Sequence, residues 1–389
     1  MEKFRFVDLF SGIGGFHQAM KQLGGKCVLA SEIDKWAIES YLENYNIDSN
    51  KDITKISTDN IPDHEVLCAG FPCQTFSKAG NQLGFADQTK GTLFFEIVRI
   101  LDAKRPKYII LENVKNLVSH DGGNTWKVIR ETLQTLGYIL TEKPIIISPH
   151  QLGIPQLRER VYILGIHKSL GVSNIDIELP DKFKKIDNIF DSGIIEENPN
   201  DKYLITKYEE KVLNIWDEFY KGIKEKVLGF PIWANEFKEK YDFSHLPKWK
   251  QLFIKKNREL YHNNKVFINA WLKKYNYLKE LTPTHRKFEW QAGKSISSLW
   301  EGFIQFRPSG IRVKRPNYFP TLVAIVQIPI IGKYKRRLTP REAARLQSFP
   351  DTFIPNKDDH QAYKQFGNAV NVKCIKFLAE QLFNQKKVV

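Results

Sequence analysis

A thiol sits where a reactive one is expected. Gly70-Phe71-Pro72-Cys73-Gln74 follows a short apolar run, Val66–Ala69, that reads as a strand. Cys73 therefore falls on a turn at a strand end, with Pro72 restricting the backbone. Thiolate is the nucleophilic form, and an exposed turn at a sheet rim suits it better than a core position. Cys27, Cys68 and Cys374 lie inside strand or helix patterns and read as small core hydrophobes. Glu112 closes a second apolar strand, Tyr108–Leu111. Burial there raises a carboxyl pKa and keeps the group a proton donor, although a carboxylate capping the next helix is the plainer alternative. Gln156, Arg158 and Arg160 alternate along a segment that opens a further strand, Val161–Ile166, which puts all three on one face. Nucleophile, acid and guanidinium forks together suit covalent addition to an electrophilic ring carbon. The acid would hold a ring nitrogen, and the forks an oxygen or a phosphate.

These groups need a frame. Residues 4–10 read as a buried strand that breaks at Ser11-Gly12-Ile13-Gly14-Gly15, and a helical pattern follows from Phe16. Val28–Ile33 is a second strand, followed by a helix over Lys35–Asn44; Thr92–Leu101 and Trp126–Leu136 are also helical. Strands alternating with helices predict an α/β fold with a parallel sheet, whose ligands bind beyond the carboxyl ends of the strands. Asp8 to Gly15, Glu32, Cys73 and Glu112 all fall at such ends. The glycine loop is not the dinucleotide fingerprint, because His17 stands at the third glycine position. That disfavours a pyrophosphate cradle and leaves room for a nucleoside without phosphates. Glu32, 20 residues past Gly12, sits where a carboxylate usually takes ribose hydroxyls. Gly80, Gly84 and Gly91 supply hinge capacity after Cys73.

Charge is distributed unevenly. The net +15 is carried essentially by Lys221–Pro340, with 25 Lys and Arg against 8 Asp and Glu; Gly171–Tyr220 holds 6 against 12. A basic excess confined to one segment predicts a polyanion-binding surface, although a solvated lysine-rich face gives the same count. Six of the eight tryptophans lie between Trp216 and Trp300 and read mostly as the core of a second lobe. The start of the chain lacks signal-peptide character, and no stretch approaches the roughly 20 apolar residues of a membrane helix. Four cysteines without metal-ligand spacing argue against a disulfide framework or a metal site and for a reducing cytoplasm.

Taken in order, the pieces resemble the cytosine-5 DNA methyltransferases of bacterial restriction systems. The resemblance rests on Asp8-Leu-Phe-Ser-Gly-Ile-Gly-Gly-Phe16, Ser31-Glu-Ile-Asp34, Asp52-Ile53, Gly70-Phe-Pro-Cys-Gln-Thr-Phe-Ser77 and Gly91-Thr-Leu-Phe-Phe-Glu96. It continues through Glu112-Asn-Val114, Gln156-Leu-Arg-Glu-Arg160, Arg337-Leu-Thr-Pro-Arg-Glu-Ala-Ala-Arg-Leu-Gln347 and Gln365-Phe-Gly-Asn-Ala-Val370. It covers roughly the first 170 and last 55 residues.

The resemblance implies a Rossmann-like S-adenosylmethionine-dependent domain (residues 1–170 and 357–389) and a smaller target-recognition domain with hinge (171–356). Cys73 would attack cytosine C6, Glu112 would engage N3 and the exocyclic amine, and Arg158 and Arg160 would order the base. The cofactor would be held by Asp8, Phe10, Gly12, Ile13, Gly14 and Pro72. Glu32 would take the ribose, Ile33, Asp52 and Ile53 the adenine, and Asn368 and Val370 would complete the pocket. Lys51 and Ile33 depart from the family pattern, at a position often glycine and at one often aromatic. The implied substrate is double-stranded DNA, with Arg312, Lys314 and Arg315 on a loop over Ser309–Asn317 and Thr321 as an anchor. The enzyme is expected to be a cytoplasmic, nucleoid-associated monomer without membrane or metal, with a restriction endonuclease as a possible genetic partner. An RNA methyltransferase of the same fold is disfavoured, because its Cys-Phe-Thr signature is absent: no cysteine lies between Cys73 and Cys374. A catalytically silent DNA-binding module and a nicotinamide-dependent oxidoreductase are the remaining alternatives.

Overall fold

Strand β1 (Phe4–Leu9) forms because Phe6, Val7 and Leu9 are apolar and fully buried, and the run ends where Phe10 turns into the left-handed region at φ 54°. The structure is a computed structural model that describes residues 3–72, 93–180, 189–226, 228–238, 242–322 and 327–385; Cys73, Gly80, Gly84 and Gly91 lie outside the described residues. Helix α1 (Gly15–Gln22) leads to β2 (Gly25–Ser31), and α2 (Lys35–Tyr45) starts at Asp34, whose carboxylate accepts from Trp36 and Ala37 N–H. Then come β3 (Val66–Gly70), α3 (Leu93–Lys104), β4 (Tyr108–Val114), α4 (Asn124–Thr135), β5 (Tyr138–Leu140), β6 (Ile145–Ile147) and β7 (Arg160–His167).

These strands make one sheet in the order β2-β1-β3-β4-β7-β5, with β6 also paired to β7. Pairs β1–β2, β1–β3 and β3–β4 are parallel, as the alternation of strands and helices predicts. The sheet departs from the expected parallel arrangement at one side only, where β7 runs antiparallel to β4, β5 and β6. The physical reason is the connection. Between β4 and β7 the chain passes a single helix and two short strands, and β6 returns into β7 as an antiparallel arm instead of crossing over.

Two compact units divide the chain: Met1–Ile186 with Pro340–Val389, and Asp187–Thr339. The second unit contains α5 (Lys207–Gly222), β8 (Ile232–Trp233), α6 (Lys248–Asn263), α7 (Lys265–Lys274), β9 (Lys287–Gln291), β10 (Phe303–Arg307), β11 (Gly310–Lys314), β12 (Ile330–Ile331) and β13 (Arg336–Arg337). Its sheet runs β13-β12-β10-β11-β9-β8. Trp216, Trp271 and Trp290 are buried in its core, and Trp216 stacks on Phe288 with ring centroids 4.9 Å apart. Trp249 is the exception at 59% exposure. The chain then returns to the first unit through α8 (Pro340–Leu346), α9 (Asp359–Asn368) and α10 (Val372–Phe383). Among the described residues no helix is long and apolar enough to cross a membrane, and no cluster of three or more His, Cys, Asp or Glu could hold a metal.

Gly165 shows how tightly the first sheet is packed. It sits on β7 between Ile109 and Leu140, and a Cβ there would lie 2.7 Å from Ile109 Cγ1 and 2.9 Å from Leu140 Cδ2. Gly165→Val is expected to lower stability by about 1–3 kcal/mol through overpacking, measured as a shift in the urea unfolding midpoint.

Candidate active site

The ends of β1 to β4 and the start of β7 share one rim of the first sheet. A cavity of about 460 Å³ opens there, within the range of small-molecule pockets. It is bordered by Phe10 to Ile13, Glu32 to Asp34, Gly70 to Pro72, Glu112 to Val114, Arg158, Arg160 and the segment Gly367–Val370. Residues from six separated parts of the sequence thus meet at the place where a doubly wound sheet binds its ligands.

The glycine loop builds one wall. Gly12 adopts φ 53°, and a Cβ on it would meet nothing within 4 Å. Glu32 braces this loop: its Oε2 accepts Gly12 N–H at 2.9 Å, while Oε1 accepts Ile33 N–H at 2.7 Å and Asp34 N–H at 2.9 Å. Oε2, which accepts only one hydrogen bond, keeps further lone-pair capacity. Ile33 stands at the rim, 75% exposed. Gly14 does not border the cavity. It ends the loop at φ 83°, packed so closely that a Cβ would lie 2.3 Å from the Tyr45 ring.

Asp8 is also absent from the cavity border. It points beneath the loop, fully buried, where burial pushes its carboxyl well above the usual range. Tyr41 Oη donates to it at 3.5 Å and also contacts His17 Nδ1 at 2.7 Å; burial holds His17 near a pKa of about 3, hence neutral. Asp52 and Ile53 lie off the border as well. Asp52 caps a short 3-10 turn through Thr54, whose hydrogen bonds lower its pKa, and Ile53 is buried in the core.

The reactive corner lies across the cavity. Arg160 Nε is 3.2 Å from Glu112 Oε1, and both side chains are mostly buried. Burial pushes the Glu112 carboxyl up, while Arg160 and then Arg158 pull it down. Strand β4 runs through Val114, so Glu112 lies within it and not at its end. Asn113 donates from Nδ2 to the Phe71 carbonyl at 2.8 Å, which fixes the segment leading to Pro72. Cys73 itself lies outside the described residues.

The alternation of Gln156, Arg158 and Arg160 is present, with Leu157 and Glu159 turned outward, but the strand begins only at Arg160. Arg158 and Arg160 do different things. Arg158 is buried, its charge brought down to a pKa of about 10 by burial, and its Nη2 donates to the carbonyls of Gly367 (2.9 Å) and Ala369 (3.0 Å). Arg158 therefore braces the segment that returns from the chain end. The same segment presses on the glycine loop: a Cβ on Gly15 would sit 2.6 Å from Val370 Cγ2. Asn368 is exposed at the border and Val370 is buried beside it.

Sequence reasoning assigned no role to several residues that shape this cavity. Lys364 pairs with Asp34 at 2.8 Å, Gln365 donates to the Trp36 carbonyl at 2.8 Å, and Ser148 Oγ accepts Arg158 N–H at 2.8 Å. Partners such as Asp34 and Lys364 are 330 residues apart and no local pattern links them. Asn113 alone carried a signal, as a buried-strand asparagine that must find a partner.

In the second unit, the expected loop over Ser309–Asn317 is instead mostly strand β11. Ile311 and Val313 alternate into the core, and this period of two is what makes it a strand. On the opposite face, Arg312 pairs with Glu289 at 3.1 Å, as does Arg307. Burial lowers the Lys314 pKa, with Arg312 and Arg307 adding to the effect. Arg315 Nε donates to the Ala292 carbonyl at 3.0 Å. Thr321 is half-buried, beside the buried Leu322.

The family profile of the C-5 cytosine-specific DNA methylases matches residues 4–384. This chain belongs to that family. It is 34% identical to the type II methyltransferase M.AluI of Cellulosimicrobium cellulans, over 97% of this chain and 92% of that protein. It is 36% identical to M.BanI of Aneurinibacillus aneurinilyticus, over 98% and 96%. The Dnmt2 methyltransferase of S. pombe shares the fold, with a TM-score of 0.54 at 20% identity over 98% of each chain. The methyltransferase fold expected from the resemblance is thus the observed one.

Arg158→Ala would leave two buried carbonyls without their donor. At about 1–3 kcal/mol for each unsatisfied group, the expected loss is about 2–6 kcal/mol in urea unfolding. Amide exchange is expected to rise selectively around Ala369 and Val370.

Proposed function

We propose that this chain transfers a methyl group from S-adenosylmethionine to carbon 5 of a cytosine in duplex DNA, as the modification enzyme of a type II restriction system. The observation that carries the reading is the buried Glu112–Arg160 pair facing a glycine-loop cavity, beside the strand end that leads to Cys73. The cavity fits the cofactor. It has a glycine loop open at Gly12, a carboxylate at Glu32, an exposed apolar side chain at Ile33, and His17 in place of the third glycine that a pyrophosphate fingerprint needs. Phe10, Gly12, Ile13, Pro72, Asn368 and Val370 would line the methionine and adenine portions, with Glu32 on the ribose. Asp52 and Ile53 are proposed for the adenine edge. Asp8 and Gly14 would act from beneath, by shaping the loop. The bound sulfonium supplies an electrophilic methyl group.

The chain's own residues supply the rest. The cytosine must leave the duplex, at a cost of a few kcal/mol in lost pairing and stacking. Cys73 thiolate adds to C6, which turns the ring into an enamine nucleophilic at C5. Glu112, kept protonated more readily by its burial, donates to N3 and makes that addition easier. Arg160, held by Glu112, offers its remaining N–H groups to the base O2. Loss of the C5 proton and elimination of Cys73 then restore the aromatic ring. The second unit is proposed to recognise the target, with Arg312, Lys314, Arg315 and Thr321 as DNA-facing groups; Glu289 competes for Arg312.

Bisulfite sequencing of DNA from cells expressing the protein is expected to show one cytosine protected in a fixed sequence context. Modified adenine, or no modification, would overturn the assignment. Duplex DNA carrying 5-fluorocytosine cannot lose its C5 substituent and is expected to remain covalently attached to the wild type but not to Cys73→Ser. Glu112→Gln is expected to lower kcat by about 10²–10⁴-fold, the usual worth of a positioned acid. The Kd for the cofactor, measured by calorimetry, is expected to change by less than about threefold.

A further inference from the structure

The basic excess of the second unit is not spread evenly over its surface. Lys248–Lys274 holds eight Lys and Arg against the single Glu259, within the segment that carries the net charge. Two of these cations are used internally: Arg258 pairs with Glu236, and Lys274 with Glu218. Lys248, Lys255, Lys256, Lys265 and Lys273 form no ion pair among the described residues. The β10–β11 hairpin differs, because Glu289 on the neighbouring β9 partly neutralises Arg307 and Arg312.

Three of the five cations of helix α6, Lys248, Lys255 and Lys256, share one side with the acid Glu259. Positions 248, 252, 255, 256 and 259 fall on one stripe at helical spacing. Lys248, Leu252 and Lys255 are exposed on it, and Lys256 is half-buried. Trp249 and Leu252, 59% and 50% exposed, lie among these lysines. Behind the stripe the helix is fixed. Ile254 and Leu260 enter the core, and Asn257 receives Trp233 N–H at 2.7 Å and donates to the Pro231 carbonyl at 3.0 Å. On this helix face three lysines without an ion pair among the described residues repel one another across the single Glu259, and the indole stays largely exposed despite its edge contact with Phe253. A solvated face has no use for the tryptophan. A polyanion with an apolar sugar-and-base surface relieves both.

We propose that the outer face of α6 is a contact surface for the DNA backbone, where Lys248, Lys255 and Lys256 neutralise phosphates and Trp249 packs on the adjoining sugars. This rests on the reading of the chain as a DNA methyltransferase and adds a sequence-independent anchor separate from base reading. Lys248 and Lys255 are about 10 Å apart along the helix axis, enough to reach separate phosphates. Such contacts raise affinity and its salt dependence, and leave the choice of sequence to other groups.

The test uses the full-length protein with Lys248, Lys255 and Lys256 all changed to Gln. The slope of log K against log salt for duplex DNA is expected to fall by about 2–3, at roughly 0.9 per phosphate contact. Kd near 0.1 M salt is expected to rise at least tenfold, and KM for DNA with it. Bisulfite sequencing is expected to show the same methylated context. Circular dichroism and cofactor calorimetry check that the variant is folded. Independently, the emission difference between wild type and Trp249→Phe is expected to change when duplex DNA is added. An unchanged slope and Kd in the folded triple variant, or a Trp249 signal indifferent to bound DNA, would overturn the proposal. A changed methylation context would do so too, by making α6 a sequence reader. Failure of the wild type to methylate any DNA would instead sink the underlying functional reading.

Discussion

The antiparallel pairing of β7 with β4 is the constraint on which the reactive corner depends. In the register Glu112↔Tyr162 and Val114↔Arg160, the amino end of β7 lies beside the carboxyl end of β4. Arg160 and Glu112 therefore occupy the same rim and the same face, one diagonal step apart. In a parallel arrangement the start of β7 would sit at the far edge of the sheet, and the carboxyl would be buried without its cation. A lone buried carboxylate simply takes up a proton, and a lone buried guanidinium is costly to desolvate. Paired, the two hold a carboxyl whose pKa burial raises and a neighbouring charge restrains.

The second arginine closes the molecule in sequence terms. By binding the carbonyls of Gly367 and Ala369, Arg158 joins positions more than 200 residues apart. Val370 then sits against Gly15, which has no side chain to prevent it. Lys364 and Gln365 repeat the closure on the other side, against Asp34 and Trp36. The cavity wall is thus made by two distant parts of one chain, and the unit between them can be long and variable without disturbing the wall.

Much of this frame was legible from local pattern. Apolar runs ending in glycine, proline or an acid placed β1, β3 and β4 within a few residues, and alternation put Gln156, Arg158 and Arg160 on one face, which the structure turns inward at Gln156 and Arg158. What pattern does not encode is direction and depth. Nothing in Val161–Ile166 tells a parallel from an antiparallel strand, because both are buried apolar runs. Asp8 and Gly12 look equally close to a ligand in sequence, yet one lies under the loop and the other on it, a difference set by the left-handed turn at Phe10. Glu289 is likewise silent until β9 and β11 pair and bring it to Arg312.

The same distinction governs the charge. Counting Lys and Arg marks Lys221–Pro340 as the basic part of the chain but gives every cation equal weight. Packing removes that equality: a guanidinium paired to a neighbouring carboxylate must exchange one partner for another when DNA binds, so its net gain is small. An unpaired surface lysine releases a counterion and gives up nothing else. On the proposed reading Arg312, with its competing acid Glu289, discriminates, since it leaves that acid only for a partner that fits. On the same proposal the lysines of α6, which form no ion pair among the described residues, contribute affinity without choice. Division of a basic surface into discriminating and holding parts then follows from where its few acidic residues sit.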